Sequence, residues 1–180
     1  MSIDINLKRD IQSFIDAHFE AQPSVFTSFM GSIFDKISSK STKDVSDVSQ
    51  EALGRFNQSK LNKLLENKKP TFSETLLCFI DKRGLKDSTV YNKAGISRQL
   101  FSKIRIHSNY KPTKATVLLF ALALELDLDD TKELLASAGF TLSHSVKQDL
   151  ILEFLIDNGF HNVNFVNEVL YEFGEPTLGV

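Results

Sequence analysis

The sequence predicts an all-α fold, on three observations. Apolar residues recur at helical spacing almost throughout the 180 residues. Runs with the alternation of a half-buried strand are weak, and residues that cap or stop helices punctuate the apolar stripes at helix-length intervals. With 42% hydrophobic and 24% charged residues, the composition is that of an ordinary soluble globular protein, with enough apolar surface to fold without disulfides or metals.

The first stripe, Leu7, Ile11, Phe14, Ile15, His18 and Phe19, reads as one face of a helix, on which His18 takes a packing place. Pro23 interrupts it. Ser24 then caps a second helix with a dense stripe at Val25, Phe26, Phe29, Met30, Ile33, Phe34 and Ile37, so residues 1–37 form an antiparallel helical hairpin. A hairpin this apolar needs cover. Self-association through Phe26, Phe29, Met30, Ile33 and Phe34 supplies it most simply, with a homodimer as the assembly. Residues 38–50, rich in Ser, Thr, Asp and Lys, read as a mobile linker. Residues 51–70 form a bridging helix with Leu53, Phe56, Leu61, Leu64 and Leu65 on its inner side.

Residues 71–140 carry the most regular pattern. Ser73, followed by Glu74, starts a helix whose inner face is Leu76, Leu77, Phe79 and Ile80 and whose stop is Gly84. Cys78, the single cysteine, falls within that apolar pattern and reads as a buried thiol suited to a reducing cytoplasm. Asp87 or Ser88 begins a short helix ending at Gly95, and Ser97 caps the next, which runs to about Ile106. Thr113 caps a longer helix and Asp129 another, which Gly139 stops. Two further amphipathic helices, separated by Gly159, make an acidic C-terminal extension over residues 141–180.

Charge is segregated along the chain although the whole carries a formal net charge of only −2. Residues 60–114 hold thirteen basic and four acidic groups, whereas residues 115–180 hold two and eleven. Between residues 82 and 114 nine basic side chains face a single acid, Asp87. Such a block inside short consecutive helices is the footprint of a nucleic-acid surface, because phosphates respond to local potential and not to net charge.

The stretch from residue 73 to residue 139 resembles the DNA-binding domain of Xre/Cro-type phage repressors. The resemblance rests on Leu76-Leu77, Gly84-Leu85, the Gly95-Ile96-Ser97 turn, Phe101 and Ile104, Lys111-Pro112, and the run from residue 118 to residue 128 that continues into Leu134. It implies a helix-turn-helix bundle whose third helix enters the major groove of double-stranded DNA. On that reading Ser97, Arg98, Gln99, Ser102 and Lys103 face outward, Leu100, Phe101 and Ile104 pack inward, and Arg105, Lys111 and Lys114 grip the phosphate backbone. Arg offers guanine a bidentate fork and Gln offers one to adenine. Where the family has glutamine and a small alanine, this chain has Asp87, which repels phosphate, and Tyr91.

A longer run, residues 72–179, is similar to a bacterial and phage accessory module that also occurs attached to macro domains. It carries Val90-Tyr91, Tyr110-Lys111-Pro112, Ala138-Gly139, Leu142-Ser143 and Asn167-Glu168. The alternative reading is a protein-binding adaptor that uses the same helical scaffold, with the basic face recruiting an acidic partner, or an accessory protein of a bacterial or phage signalling or defence system. The acidic residues Asp149, Glu153, Asp157, Glu168, Glu172 and Glu175 supply a surface able to dock on the basic block.

Other classes find little support. His18, His107, His144 and His161 have no ligand spacing, and Ser143-His144-Ser145 reads as a helix-capping segment. With neither a phosphate-binding glycine loop nor a paired-carboxylate signature, the expectation is a non-enzymatic protein without metal or cofactor. The first ten residues lack the layout of a signal peptide, and the longest strongly apolar run, residues 117–124, is far short of a membrane span. The expected location is the cytoplasm.

Overall fold

The structure, a computed structural model, describes residues 3–19 and 69–179. The chain divides into two compact units, residues 1–20 with 70–180, and residues 21–69. The described helices all belong to the first unit. The second helix of the expected hairpin, with Phe26, Phe29, Met30, Ile33 and Phe34, lies outside the described residues, as do the linker and nearly all of the bridging helix.

All regular structure among the described residues is helical: α1 (Ile5–Phe19), α2 (Phe72–Lys82), α3 (Asp87–Lys93), α4 (Arg98–Ile106), α5 (Lys114–Ala123), α6 (Leu128–Ser137), α7 (Lys147–Asp157) and α8 (Val163–Glu172). Helix α5 is the centre. Every residue from Val117 through Ala123 is buried, as expected of a helix apolar on all sides. It packs on α3, α6 and α8, while α2 packs on α4 and α6. An aromatic chain crosses this core: Phe120 of α5 lies 6.3 Å from Phe72 and 6.0 Å from Phe101, ring centre to ring centre, and Phe101 lies 5.6 Å from Tyr91. Buried side chains of this size each contribute roughly 1.5–3 kcal/mol. They fix where α4 sits.

The helix ends follow local chemistry. Ser97 and Thr113 cap α4 and α5, each accepting a backbone hydrogen bond three residues on. At α2 the cap is Thr71, not Ser73, because Thr71 and Glu74 satisfy each other's backbone amides in a capping box. The amide and hydroxyl of Thr71 hold the Glu74 carboxyl below its ordinary range. Ser73 points inward instead and donates to the His107 carbonyl at 3.1 Å, tying the start of α2 to the end of α4. Asp127, not Asp129, caps α6.

Gly95 closes α3 with a positive φ of 64° that L side chains rarely adopt. The same type of ending after α5 falls on Glu125, at φ 53°. Cys78, expected to be buried, is exposed. The buried stripe of α2 is Phe72, Leu76, Phe79 and Ile80, and two residues past Leu76 the helix has turned about 200° away from it.

Helix α1 packs on α7. Ile11 and Ile15 are buried there, the Phe14 ring lies 5.4 Å from Phe154, and His18 stands edge-on to His144 at 5.5 Å. The chain after α8 is held in place as well. Leu178 is buried, and its amide donates to the Asn167 side chain at 2.8 Å. Among the described residues no helix is long and apolar enough to cross a membrane.

Candidate nucleic-acid interface

Helix α4 is joined to α3 by residues 94–97 and packs on α2 and α3. Its inner side is the buried pair Phe101 and Ile104, with Leu100 half-buried. At helical spacing this leaves Arg98, Gln99, Ser102 and Lys103 on the outer side, and all four are exposed. The Ser97 oxygen accepts from the Leu100 amide at 3.2 Å, which leaves its hydroxyl hydrogen available to a further acceptor. Ile106, one turn past Ser102 and Lys103, is 73% exposed.

Tyr91 lies partly buried against Phe101. The phenol ring is therefore part of the α3–α4 packing.

The basic block splits into two groups. Among the described residues Arg98, Lys103 and Lys111 are exposed and meet no acid. Of the rest, Arg83, Lys93, Arg105 and Lys114 found carboxylates, while Lys86 is exposed and the Lys82 ammonium stands 5.3 Å over the Phe79 ring. Arg105 in the last turn of α4 pairs with Asp87 at the start of α3. Lys93 donates to Glu125 at 2.9 Å, and that hydrogen bond holds the Glu125 carboxyl below its ordinary range. Arg83 reaches the Glu125 carbonyl at 3.3 Å and Asp130 at 3.8 Å.

Lys114 is the most deeply engaged. Its ammonium lies 2.6 and 2.5 Å from the two oxygens of Asp149, a residue only 2% exposed that also accepts from the Ser143 amide at 2.8 Å. Of the residues expected to contact nucleic acid, the structure thus brings Ser97, Arg98, Gln99, Ser102 and Lys103 onto one open helix face. It leaves Lys111 exposed in the following loop and ties Arg105 and Lys114 to carboxylates.

Three further acids of the C-terminal extension pair within it or with its neighbours. Glu153 bonds Lys132 at 3.0 Å and His144 at 2.9 Å. Burial pushes the Glu153 carboxyl up, but the Lys132 and His144 hydrogen bonds outweigh it and hold the group below the usual carboxylate range. Glu172 pairs with Lys8 of α1 at 3.1 Å and Glu175 with Lys147 at 3.8 Å. His161 contacts the Leu126 carbonyl, and His107 lies exposed at the end of α4.

No family model, curated protein or solved structure matches the chain.

Two carboxylates reorganise the block: Asp149, which the sequence placed among the acids able to dock on it without giving its partner, and Glu125, which sequence reasoning missed. Both lie far along the chain from the lysines they hold. The available signal was weak: a lone acid at an apolar position, as Asp149 is beside Leu150, Ile151 and Leu152, implies a buried partner of opposite charge.

Proposed function

We propose that the protein is a non-enzymatic DNA-binding regulator whose α4 lies in the major groove of a duplex, in the manner of a helix-turn-helix repressor. The observation that carries this reading is the open outer face of α4, where Arg98, Gln99, Ser102 and Lys103 project together and no described acid meets either cation. Arg98 and Gln99 stand in its first turn, where groove-reading helices place their base contacts. Ile106 adds an apolar contact of the kind a thymine methyl accepts.

The experiment is a fluorescence-anisotropy titration of a mixed-sequence duplex at stepped salt. With Arg98, Lys103 and Lys111 free, log affinity should fall against log salt with a slope of about −2 to −4. Arg98→Ala with Lys103→Ala should weaken binding at least roughly tenfold at low salt. No binding by the wild type at low salt would overturn the reading.

A second reading draws on the pairing of Arg105 and Lys114, which lowers the number of cations free for phosphate. On it the same face recruits an acidic protein, and the chain is an adaptor. Absence of duplex binding would favour it.

A further inference from the structure

The Asp87–Arg105 pair bears on how the proposed surface treats phosphate, and its role there rests on the DNA-binding reading. Asp87 opens α3 and Arg105 stands in the last turn of α4, so their contact spans the two helices that frame the α4 face. The guanidinium fork of arginine matches two common anions, carboxylate and phosphate, by the same pair of N–H donors. In the free protein a carboxylate holds it.

Two of the chain's ion pairs differ in whether a ligand can reach them. Asp149 is almost wholly buried and has a second donor in the Ser143 amide, so its hold on Lys114 belongs to the packing. Asp87 and Arg105 keep side-chain exposures of 38% and 53%. Their pair is open to solvent, beside the exposed Lys86 and on the same helix as Lys103.

We infer that Asp87 is an internal competitor of phosphate for Arg105. A backbone phosphate approaching Arg105 meets an anion already seated there, and displacing Asp87 leaves its carboxylate beside the phosphate. Either course weakens the sequence-independent part of binding at this edge. Discrimination then falls to Arg98, Gln99 and Ser102 in the groove. Asp87 accordingly sets the strength of the phosphate contact at this edge, and base choice is left to the groove-facing side chains.

The test measures binding of one mixed-sequence duplex by the full-length wild type, Asp87→Asn, and Asp87→Asn with Arg105→Gln, at stepped salt. Asp87→Asn should bind roughly two- to tenfold tighter near physiological salt, with a slope steeper by about 0.9, one more phosphate contact. Adding Arg105→Gln should abolish that gain, because the freed arginine causes it. Asp87→Ser, which keeps a residue suited to a helix start, must give the same gain, so a folding defect in one variant does not decide the matter.

Suppose the wild type binds, Arg98→Ala with Lys103→Ala weakens it, and both Asp87 variants leave affinity and slope unchanged or lower. The inference is then overturned while the DNA-binding reading stands. If neither the wild type nor either Asp87 variant binds at low salt, both fall. Binding that appears only once Asp87 is removed overturns the DNA-binding reading for the native chain, and the competitor role falls with it.

Discussion

Lys103 and Lys114 are the same residue type in the same basic block, yet they sit in opposite surroundings. Lys103 projects from the outer face of α4 and meets no acid among the described residues. Lys114, at the start of α5, is clamped by the buried Asp149. The difference is set by what lies under each helix. α4 packs on one side only, against α2 and α3 with Phe101 reaching Phe120 of α5, so its outer residues remain in water. α5 is surrounded, and its first turn runs beside the loop before α7 and α7 itself. Counting charge along a sequence therefore overstates a binding surface, because some of the cations complete the fold.

Breaking the paired region should have the largest effect. Asp149→Asn removes the charge partner of a half-buried ammonium and weakens the acceptor for the Ser143 amide, and should cost about 2–4 kcal/mol in urea unfolding. An undiminished midpoint would mean that the α5–α7 seam is not held by this pair.

The second paired site, Glu153 with Lys132 and His144, should show a smaller loss and a pH signature. Glu153→Gln should lower stability near neutral pH by about 1–3 kcal/mol. The folded carboxyl titrates below its unfolded value. Its contribution is therefore complete above the ordinary carboxylate range, near pH 4.5, and is lost as the pH falls through the lowered folded value. The gap between wild type and variant should shrink on acidification. A constant gap from about pH 7 to about pH 3 would contradict the assignment.

The unpaired region should be silent in the same assay. Arg98→Ala with Lys103→Ala touches exposed side chains without acidic partners, and the unfolding free energy should stay within about 0.5 kcal/mol of wild type. A larger loss would show that the α4 face contributes to the fold and is not reserved for a ligand.

Much of the helical plan was legible in the sequence. The resemblance to a helix-turn-helix domain set Leu100, Phe101 and Ile104 inward and Arg98, Gln99, Ser102 and Lys103 outward, as their burial has them, and glycines at 84, 95, 139 and 159 marked helix stops that the structure bears out with positive φ. Where two cap candidates lay close together, as Thr71 with Ser73 or Asp127 with Asp129, spacing alone did not choose between them. The choice depended on the reciprocal Thr71–Glu74 bonds and on Ser73 being needed at His107. Cys78 defeats a reading from composition because its neighbours are apolar while its own angle on α2 is not inward.

The candidate site was half legible, for a different reason. Local spacing fixes which way a side chain leaves its helix, and that suffices for Lys103. Whether a cation is free depends on a partner that only the tertiary fold brings near, as Asp149 is brought to Lys114 and Glu125 to Lys93. Asp87, expected to repel phosphate beside the groove, has in Arg105 a partner that periodicity could not supply. The packing of α1 on α7 was likewise invisible, since amphipathic stripes declare that they need cover and not which helix provides it.

The central claim is that free cations on α4, and not the paired ones, meet the phosphates. The direct measurement is the salt slope of binding to one mixed-sequence duplex for Lys103→Gln and for Lys114→Gln, at a temperature where both remain folded. The account predicts that Lys103→Gln lowers the slope by about 0.9 while Lys114→Gln leaves it at the wild-type value. A slope reduced by Lys114→Gln and untouched by Lys103→Gln would contradict it.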